Sequence, residues 1–142
     1  MEPVFHLVYI SHAAEDISYT DIRDILSVSR KNNAQENITG LLIFRDGFFL
    51  QLLEGSESAV KKILGNIMMD DRNHSLRVLI EADGDQRLFA DWQMAFLDGD
   101  LSSNETADLV DFFDTCLKAG AHQRTLIMPM LRKFQASAPL LT

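Results

Sequence analysis

Residues 38–55 decide the fold and read ITGLLIFRDGFFLQLLEG. Two apolar runs, 38–45 and 48–54, are separated by Asp46-Gly47, a dipeptide that strongly favours a two-residue hairpin turn. Apolar runs of this length, bounded by glycine and other turn residues, are typical of buried strands. We therefore predict two antiparallel strands joined by a tight turn.

Gln51 places an amide in the middle of the second apolar run, between Leu50 and Leu52. A buried amide without a hydrogen-bond partner costs roughly 1–3 kcal/mol. The pattern therefore predicts that Gln51 has polar partners. They are supplied either by the protein itself or by a molecule that the protein binds.

The segments on either side of the hairpin indicate an alternation of strands and helices. Ser18 and Asp21 resemble a capping box, and Ser56 can cap a second helix. The remaining predicted elements are strands at 5–11, 76–83 and 91–97, a helix from Ser18 to about Asn33, and a helix from Ser56 to the break at 70–74. The order β-α-β-β-α-β, with a fifth strand, predicts an α+β, ferredoxin-like fold in which both helices cover one face of an antiparallel sheet.

The character of the sequence changes beyond Asp100, where helices are predicted over 104–118 and about 122–135. We expect two parts, a sheet domain over residues 1–100 and a C-terminal helical extension over 101–142. Because an open sheet face must be buried, we expect the extension to cover the face opposite the first two helices. Its apolar stripe could alternatively form an interface.

Composition excludes several classes of function for this chain of 142 residues. The net charge of −8 argues against nucleic-acid binding, which depends on neutralising phosphates. No apolar run approaches the roughly 20 residues of a membrane span. The first residues lack the basic and apolar segments of a signal peptide, so we do not expect secretion. The single cysteine, Cys116, fits a reducing cytoplasm, and the scattered histidines show no metal-ligand spacing.

Three polar residues stand where the pattern predicts apolar ones: Tyr9 in strand one, Asn33 on helix one and Gln51 in strand three. Ser29 precedes Asn33 on the same helix stripe. Strands one and three are central neighbours in a ferredoxin-like sheet, and helix one packs over them. We therefore expect these polar groups to converge on a flat small molecule between the helices. Two aliphatic side chains are expected to sandwich that molecule: Ile25 and Ile67.

Four motifs in this order resemble the BLUF family, blue-light sensors that use flavin. They are NNAQENITGLL at 32–42, FLQLLEG at 49–55, Asp70-x-Arg72, and Phe89-x-x-Trp92-x-Met94. The resemblance covers about residues 4–97, with the strand that carries Tyr9 preceding the four motifs.

The resemblance implies a ferredoxin-like fold that holds FAD between two helices, with FMN or riboflavin possible in recombinant samples. It implies that Tyr9 and Gln51 are the photoactive pair and that Asn32 and Asn33 anchor the flavin. The family mechanism would pass an electron and a proton from Tyr9, with Gln51 as the relay at the flavin edge. Gln51 would be left either rotated or tautomerised.

Further roles follow from the same resemblance. Asp70 and Arg72 match the flavin-binding region, and Trp92 and Met94 match fifth-strand residues that pass the signal outward. Two positions depart from the family pattern: Asn73 stands where a histidine is frequent, and Asn66 where an arginine is frequent on helix two. These departures leave open which cation meets the flavin phosphates.

The resemblance further implies a sensor without enzymatic activity that signals to a separate effector. Such effectors include cyclic-di-GMP phosphodiesterases and transcriptional regulators, and short family members commonly form homo-oligomers. Two alternatives stay open. A non-photochemical small-molecule-binding module would use the same pocket. An acylphosphatase-like hydrolase would need a phosphate-binding loop after strand one, but residues 11–16 are acidic and lack glycine.

Overall fold

The computed structural model of the chain describes residues 3–90 and 94–98, together with Pro129. Within these residues two helices lie among five strands, in the predicted order. Their bounds are β1 Val4–Ala13, α1 Tyr19–Glu36, β2 Thr39–Arg45, β3 Phe48–Gly55, α2 Glu57–Met68, β4 Asn73–Gly84 and β5 Ala95–Asp98.

The five strands form one sheet in the order β4-β1-β3-β2-β5. The first four pair antiparallel, with β1 and β3 as central neighbours, which confirms the predicted ferredoxin-like arrangement. The fifth strand differs from the expectation of a fully antiparallel sheet, because β5 runs parallel to β2. After β4 the chain crosses to the opposite edge of the sheet, and it arrives there in the direction of β2.

The hairpin between β2 and β3 turns at Asp46 and Gly47, as the dipeptide predicts. Both residues have positive φ, 51° and 77°, which is the signature of a type I′ turn. The turn fixes the register, so that Leu42 lies opposite Gln51 and Phe44 opposite Phe49. The register in turn directs the Gln51 side chain to the face that the helices cover.

Helix α1 begins as predicted and ends later than predicted. Ser18 accepts a hydrogen bond from the Asp21 amide, and the Asp21 carboxylate accepts one from the Ser18 amide. The predicted end near Asn33 is wrong, because the helix continues to Glu36 and is capped by Asn37 in the left-handed conformation, φ 56°. Asn33 therefore lies inside the helix, where its side chain is buried.

The predicted bounds of the later strands are also corrected. Helix α2 is capped by Ser56 as expected, but β4 begins at Asn73 instead of residue 76, because it pairs with β1 as far as Ala13. The break after α2 is therefore confined to residues 69–72. Strand β5 begins at Ala95, and residues 91–93 lie outside the described residues.

The helices and one sheet face enclose a single apolar cluster. Ile22 and Leu26 of α1 and Val60 of α2 pack there against Leu7 and Leu53 of the central strands. The opposite face is also buried, and five of its members are 1–3% exposed: Val8, Leu41, Ile43, Leu50 and Leu52. Apart from Pro129, the predicted C-terminal helices, which were expected to cover that face, lie outside the described residues.

Candidate functional site

A cavity lies between α1 and α2 above the central strands. Its empty space, including the part that is open to solvent, is about 760 Å³. All of the residues that the sequence assigned to the ligand line it: Tyr9, Ile25, Ser29, Asn32, Asn33, Gln51, Ile67, Asp70 and Arg72. The structure therefore brings these nine predicted residues together around one cavity.

Tyr9 and Gln51 form a directly opposed pair on the two central strands. The Tyr9 hydroxyl donates a hydrogen bond to Gln51 Oε1, and both side chains are buried. Burial raises the pKa of the Tyr9 phenol well above its usual value, and the negative charge of Asp70 raises it further. Tyr9 is therefore a neutral phenol that holds its proton against the amide oxygen.

Met94 is the second partner of the Gln51 amide. Gln51 Nε2 donates to Met94 Sδ at 3.3 Å, and Met94 is 2% exposed. A Cβ atom on Gly40 would lie 3.4 Å from Met94 Cε and 2.0 Å from the Leu52 carbonyl oxygen, so glycine lets this part of the structure pack closely. Trp92, the other predicted signalling residue, lies outside the described residues.

Helix α1 supplies one wall of the cavity by its periodicity. Ile25, Ser29, Asn32 and Asn33 recur at spacings of three and four residues, which places them along one side of a helix. Asn33 is buried, whereas Asn32 is exposed at the opening. The wall thus passes from an aliphatic side chain to amides along the helix.

Asp70 and Arg72 bind each other at the mouth of the cavity. Arg72 Nη2 donates to Asp70 Oδ2 at 2.6 Å and Arg72 Nε to Asp70 Oδ1 at 2.9 Å; the Arg72 amide also donates to Oδ1, at 3.0 Å. The Arg72 hydrogen bond holds the pKa of the Asp70 carboxyl below its usual value. The guanidinium is thus already neutralised within the protein. Among the described residues that line the cavity, it is the only cation.

Several lining residues were not singled out from the sequence. Leu42 and Phe49 follow from the hairpin register, because each is a neighbour of Gln51 on the same sheet face. Ile63 belongs to the same stripe of α2 as Ile67. Asn73 differs from the family pattern, and nothing else in the sequence marks it as a lining residue. It donates to the carbonyl oxygens of Ile67 and Asp70 and so closes the end of α2.

A second buried polar cluster lies on the opposite sheet face and was missed. Glu54 is fully buried, with His6 Nε2 at 3.2 Å from its Oε2 and Thr39 Oγ1 at 2.9 Å from its Oε1. Its carboxylate also accepts from the amides of Leu88 and Phe89 at 2.8 and 2.7 Å. Burial by itself would raise the pKa of Glu54, but these hydrogen bonds outweigh it and hold the pKa below its usual value.

Two further observations concern the described residues alone. No group of three or more His, Cys, Asp and Glu side chains among them could hold a metal ion. None of their helices combines the length and the apolar character that crossing a membrane requires.

Comparisons with known proteins agree with the geometry. The family model BLUF, sensors of blue-light using FAD, matches residues 4–95, which is more than half of the chain. The blue light- and temperature-regulated antirepressor BluF of Escherichia coli (strain K12) is 36% identical over 74 residues, which are 52% of this chain and 18% of that protein. The chain thus spans less than a fifth of this curated relative.

Two solved structures are similar in fold. A bacterial light-regulated adenylyl cyclase matches with a TM-score of 0.74 and 30% identity over 87% of this chain and 39% of that one. Klebsiella pneumoniae BlrP1 with FMN and cyclic diGMP matches with a TM-score of 0.70 and 25% identity, over 94% of this chain and 34% of that one.

Proposed function

Since the chain belongs to the BLUF family of blue-light sensors that use FAD, we propose that its cavity binds a flavin and that Tyr9 and Gln51 are its light-responsive pair. The observation that carries the proposal is the hydrogen bond from the Tyr9 hydroxyl to Gln51 Oε1 at the wall of the cavity. The BLUF family is one of sensors, so the matched region is not an enzyme.

The chemistry of the lining fits a flavin. Aliphatic side chains of both helices, Ile25 and Ile67, face a common space in which a flat ring system can lie. The amides of Asn32, Asn33 and Gln51 can both donate and accept, which matches the alternating donors and acceptors along a flavin ring edge. Ser29 adds a hydroxyl on the same side of α1.

The proposed light step uses the two polar residues that the sheet holds in contact. A bound flavin excited by blue light is a strong one-electron oxidant. Tyr9 supplies the electron and releases its phenolic proton to Gln51 Oε1. On recombination the electron returns to Tyr9 with one proton from Gln51: return of the proton on Oε1 leaves an intact amide that has rotated, and return of one from Nε2 leaves the amide tautomerised. Gln51 is left either rotated or tautomerised, and in the rotated form Nε2 no longer donates to Met94 Sδ. Met94, and in our expectation Trp92, pass that change outward.

The pKa of Tyr9 supports this assignment. A phenol with a raised pKa keeps its proton in the dark, so the proton leaves only once oxidation has made the phenol strongly acidic. The proton acceptor is already hydrogen-bonded, because Gln51 Oε1 accepts from the Tyr9 hydroxyl. No rearrangement has to precede the transfer.

We propose FAD as the native cofactor, as the family description states. FMN or riboflavin could replace it in recombinant protein, and the BlrP1 structure was solved with FMN. The cavity offers few cationic contacts to a phosphate tail, because Arg72 is held by Asp70 and Asn66 stands at the opening. Binding would therefore depend chiefly on the ring system.

We propose that residues 1–100 form the sensor and 101–142 a helical extension that passes the signal to a separate effector. The relatives support effectors of two kinds: the E. coli protein is an antirepressor, and BlrP1 was solved with cyclic diGMP. We accordingly expect a transcriptional regulator or a cyclic-di-GMP phosphodiesterase. We further propose that the protein is cytoplasmic, that it forms a homo-oligomer, and that it binds neither nucleic acid nor membranes.

Two other functions would use the same fold. A non-photochemical binding module would hold a ligand in the same cavity without a response to light. An acylphosphatase-like hydrolase is disfavoured, because the amides of Ala13 and Ala14 donate to the carbonyls of Gly47 and Arg72 and so are not available to a phosphate.

Absorption spectroscopy of the purified chain tests the proposal. We expect yellow protein whose flavin bands shift slightly and reversibly to longer wavelength under blue light. Protein that takes up flavin without a shift would support the non-photochemical module. Protein that stays colourless when incubated with FAD, FMN and riboflavin would overturn the assignment of the cavity.

A further inference from the structure

Met94 is held at two points by two different elements. Its sulfur accepts from Gln51 Nε2 of β3 at 3.3 Å, and its backbone oxygen accepts from Arg30 Nε of α1 at 3.0 Å. A thioether sulfur is a weak acceptor, whereas a hydrogen bond from a guanidinium is charge-assisted and stronger. The firmer of the two attachments is therefore the one to Arg30.

Met94 stands immediately before β5. The parallel pairing of β5 with β2 begins at Ala95, opposite Leu41, and covers only four residues. Met94 precedes the first paired residue, so none of the pairs in this ladder includes it. The bond from Arg30 therefore adds a constraint at the residue just before the paired part of β5.

Arg30 lies on the side of α1 that faces the core and the cavity. It follows buried Leu26 by four residues and precedes buried Asn33 by three, which puts the three on neighbouring turns of one helix face. Asn33 lines the cavity, as does Ser29, the residue beside Arg30 in the sequence. The same helix thus forms a cavity wall and holds the start of β5.

We propose that Arg30 is a positioning residue that fixes the Met94 backbone, so that Met94 Sδ meets the Gln51 amide. This inference rests on the proposed function for its significance in signalling. When Gln51 rotates, the bond from Nε2 to the sulfur is lost while the bond from Arg30 to the backbone remains. Met94 then changes its side-chain contacts while Arg30 keeps its main chain in place.

Methionine methyl NMR tests the dark-state contact without any light response. The chain carries six methionines, and Met94→Leu identifies the resonance of Met94. In the full chain, apo and flavin-loaded, Arg30→Gln should shift that resonance more than any other methionine resonance. Arg30→Lys, which keeps the charge but loses the planar guanidinium, should give an intermediate shift and serves if Arg30→Gln does not fold.

Lys31→Gln is the matched control. It removes one positive charge from the same helix at an exposed position, and it should leave the Met94 resonance in place. In flavin-loaded protein, Arg30→Gln should still show the light-induced shift but should change its recovery rate severalfold relative to Lys31→Gln.

Two outcomes would overturn the proposal. One is an unchanged Met94 resonance in folded Arg30→Gln or Arg30→Lys, and the other is an equal movement of all methionine resonances. Protein that binds no flavin would refute the proposed function. The role of Arg30 would still be tested, because the Met94 resonance can be measured in the apo protein.

Discussion

The Tyr9 hydroxyl donates to Gln51 Oε1 across a directly opposed pair of residues on β1 and β3. This bond determines how the Gln51 amide is oriented. Since the oxygen accepts from Tyr9, the nitrogen is directed to Met94 Sδ. A single amide therefore joins Tyr9 to the residue that precedes β5, and reversing the amide would exchange both contacts together.

Replacing Gln51 with leucine should preserve flavin binding and abolish the light-induced red shift. The variant leaves the Tyr9 hydroxyl buried without its acceptor, which should cost about 1–3 kcal/mol of unfolding free energy. Light-minus-dark absorption spectra and urea denaturation measure the two effects. A normal photocycle in Gln51→Leu would refute the role of the amide as relay.

Replacing Tyr9 with phenylalanine should likewise give a yellow protein that does not photoswitch, because it removes the proposed donor of the electron and the proton. Tyr19→Phe is the matched control, since Tyr19 is the other tyrosine of the chain and is half exposed on the first turn of α1. The photocycle of the control should be normal. If Tyr9→Phe also cycled normally, the electron would have to come from another side chain.

The double substitution separates the contribution of the Tyr9–Gln51 hydrogen bond from the effects of the two single substitutions. Removing both partners leaves neither group unpaired, and such a replacement can be nearly neutral. The double variant Tyr9→Phe with Gln51→Leu should therefore be more stable than the sum of the single effects predicts. Strict additivity in urea denaturation would indicate that the two side chains are not coupled.

Much of this arrangement could be predicted from the sequence, for reasons that lie in local geometry. Asp46-Gly47 specifies the turn, the turn specifies the register, and the register places Gln51 on the helix-covered face. The spacing of Ile25, Ser29 and Asn33 specifies one side of α1. The periodicity of strands and helices, together with the residues of the turn, is enough to predict that these side chains face the same cavity.

The parts that could not be predicted depend on contacts between distant segments. Glu54 lies in the same apolar run as Gln51 and, like Gln51, needs polar partners when it is buried. Those partners, His6 and residues 87–89, are far from Glu54 in the sequence. β5 runs parallel to β2 because of the path that the chain takes after β4. The hydropathy pattern of the sequence does not predict that path.

Alkaline titration of Tyr19→Phe should report on Tyr9 alone. The pKa of Tyr9 is raised by burial, so its neutral form is favoured by folding, whereas in the unfolded chain it ionises near pH 10. The stability from this group is fully present below about pH 10, and it is lost as the pH rises further. In Tyr19→Phe, tyrosinate absorbance should therefore appear only together with unfolding. Its appearance in folded protein near pH 10 would contradict the raised pKa.

Glu54→Gln should destabilise the fold without changing the flavin site. A glutamine has one acceptor oxygen where the carboxylate has two, so one of the amides of Leu88 and Phe89 loses its partner, at a cost of about 3 kcal/mol. Urea denaturation measures this, with Glu81→Gln as an exposed control. Because the pKa of Glu54 is lowered in the folded state, its contribution is present above the usual glutamate pKa of about 4.3 and is lost as the pH falls through the folded pKa.

Asp70→Asn should release Arg72 for a flavin phosphate. At present the Asp70 carboxylate neutralises the guanidinium at the cavity mouth, and an asparagine would leave that charge unpaired. Binding of FMN should therefore strengthen severalfold relative to binding of riboflavin, and the gain should fade with added salt, because the new interaction is electrostatic. Fluorescence titration of the apo protein with the two flavins measures the ratio. Arg72→Gln should show no such gain, and an equal change for both flavins in Asp70→Asn would mean that Arg72 does not reach the phosphate.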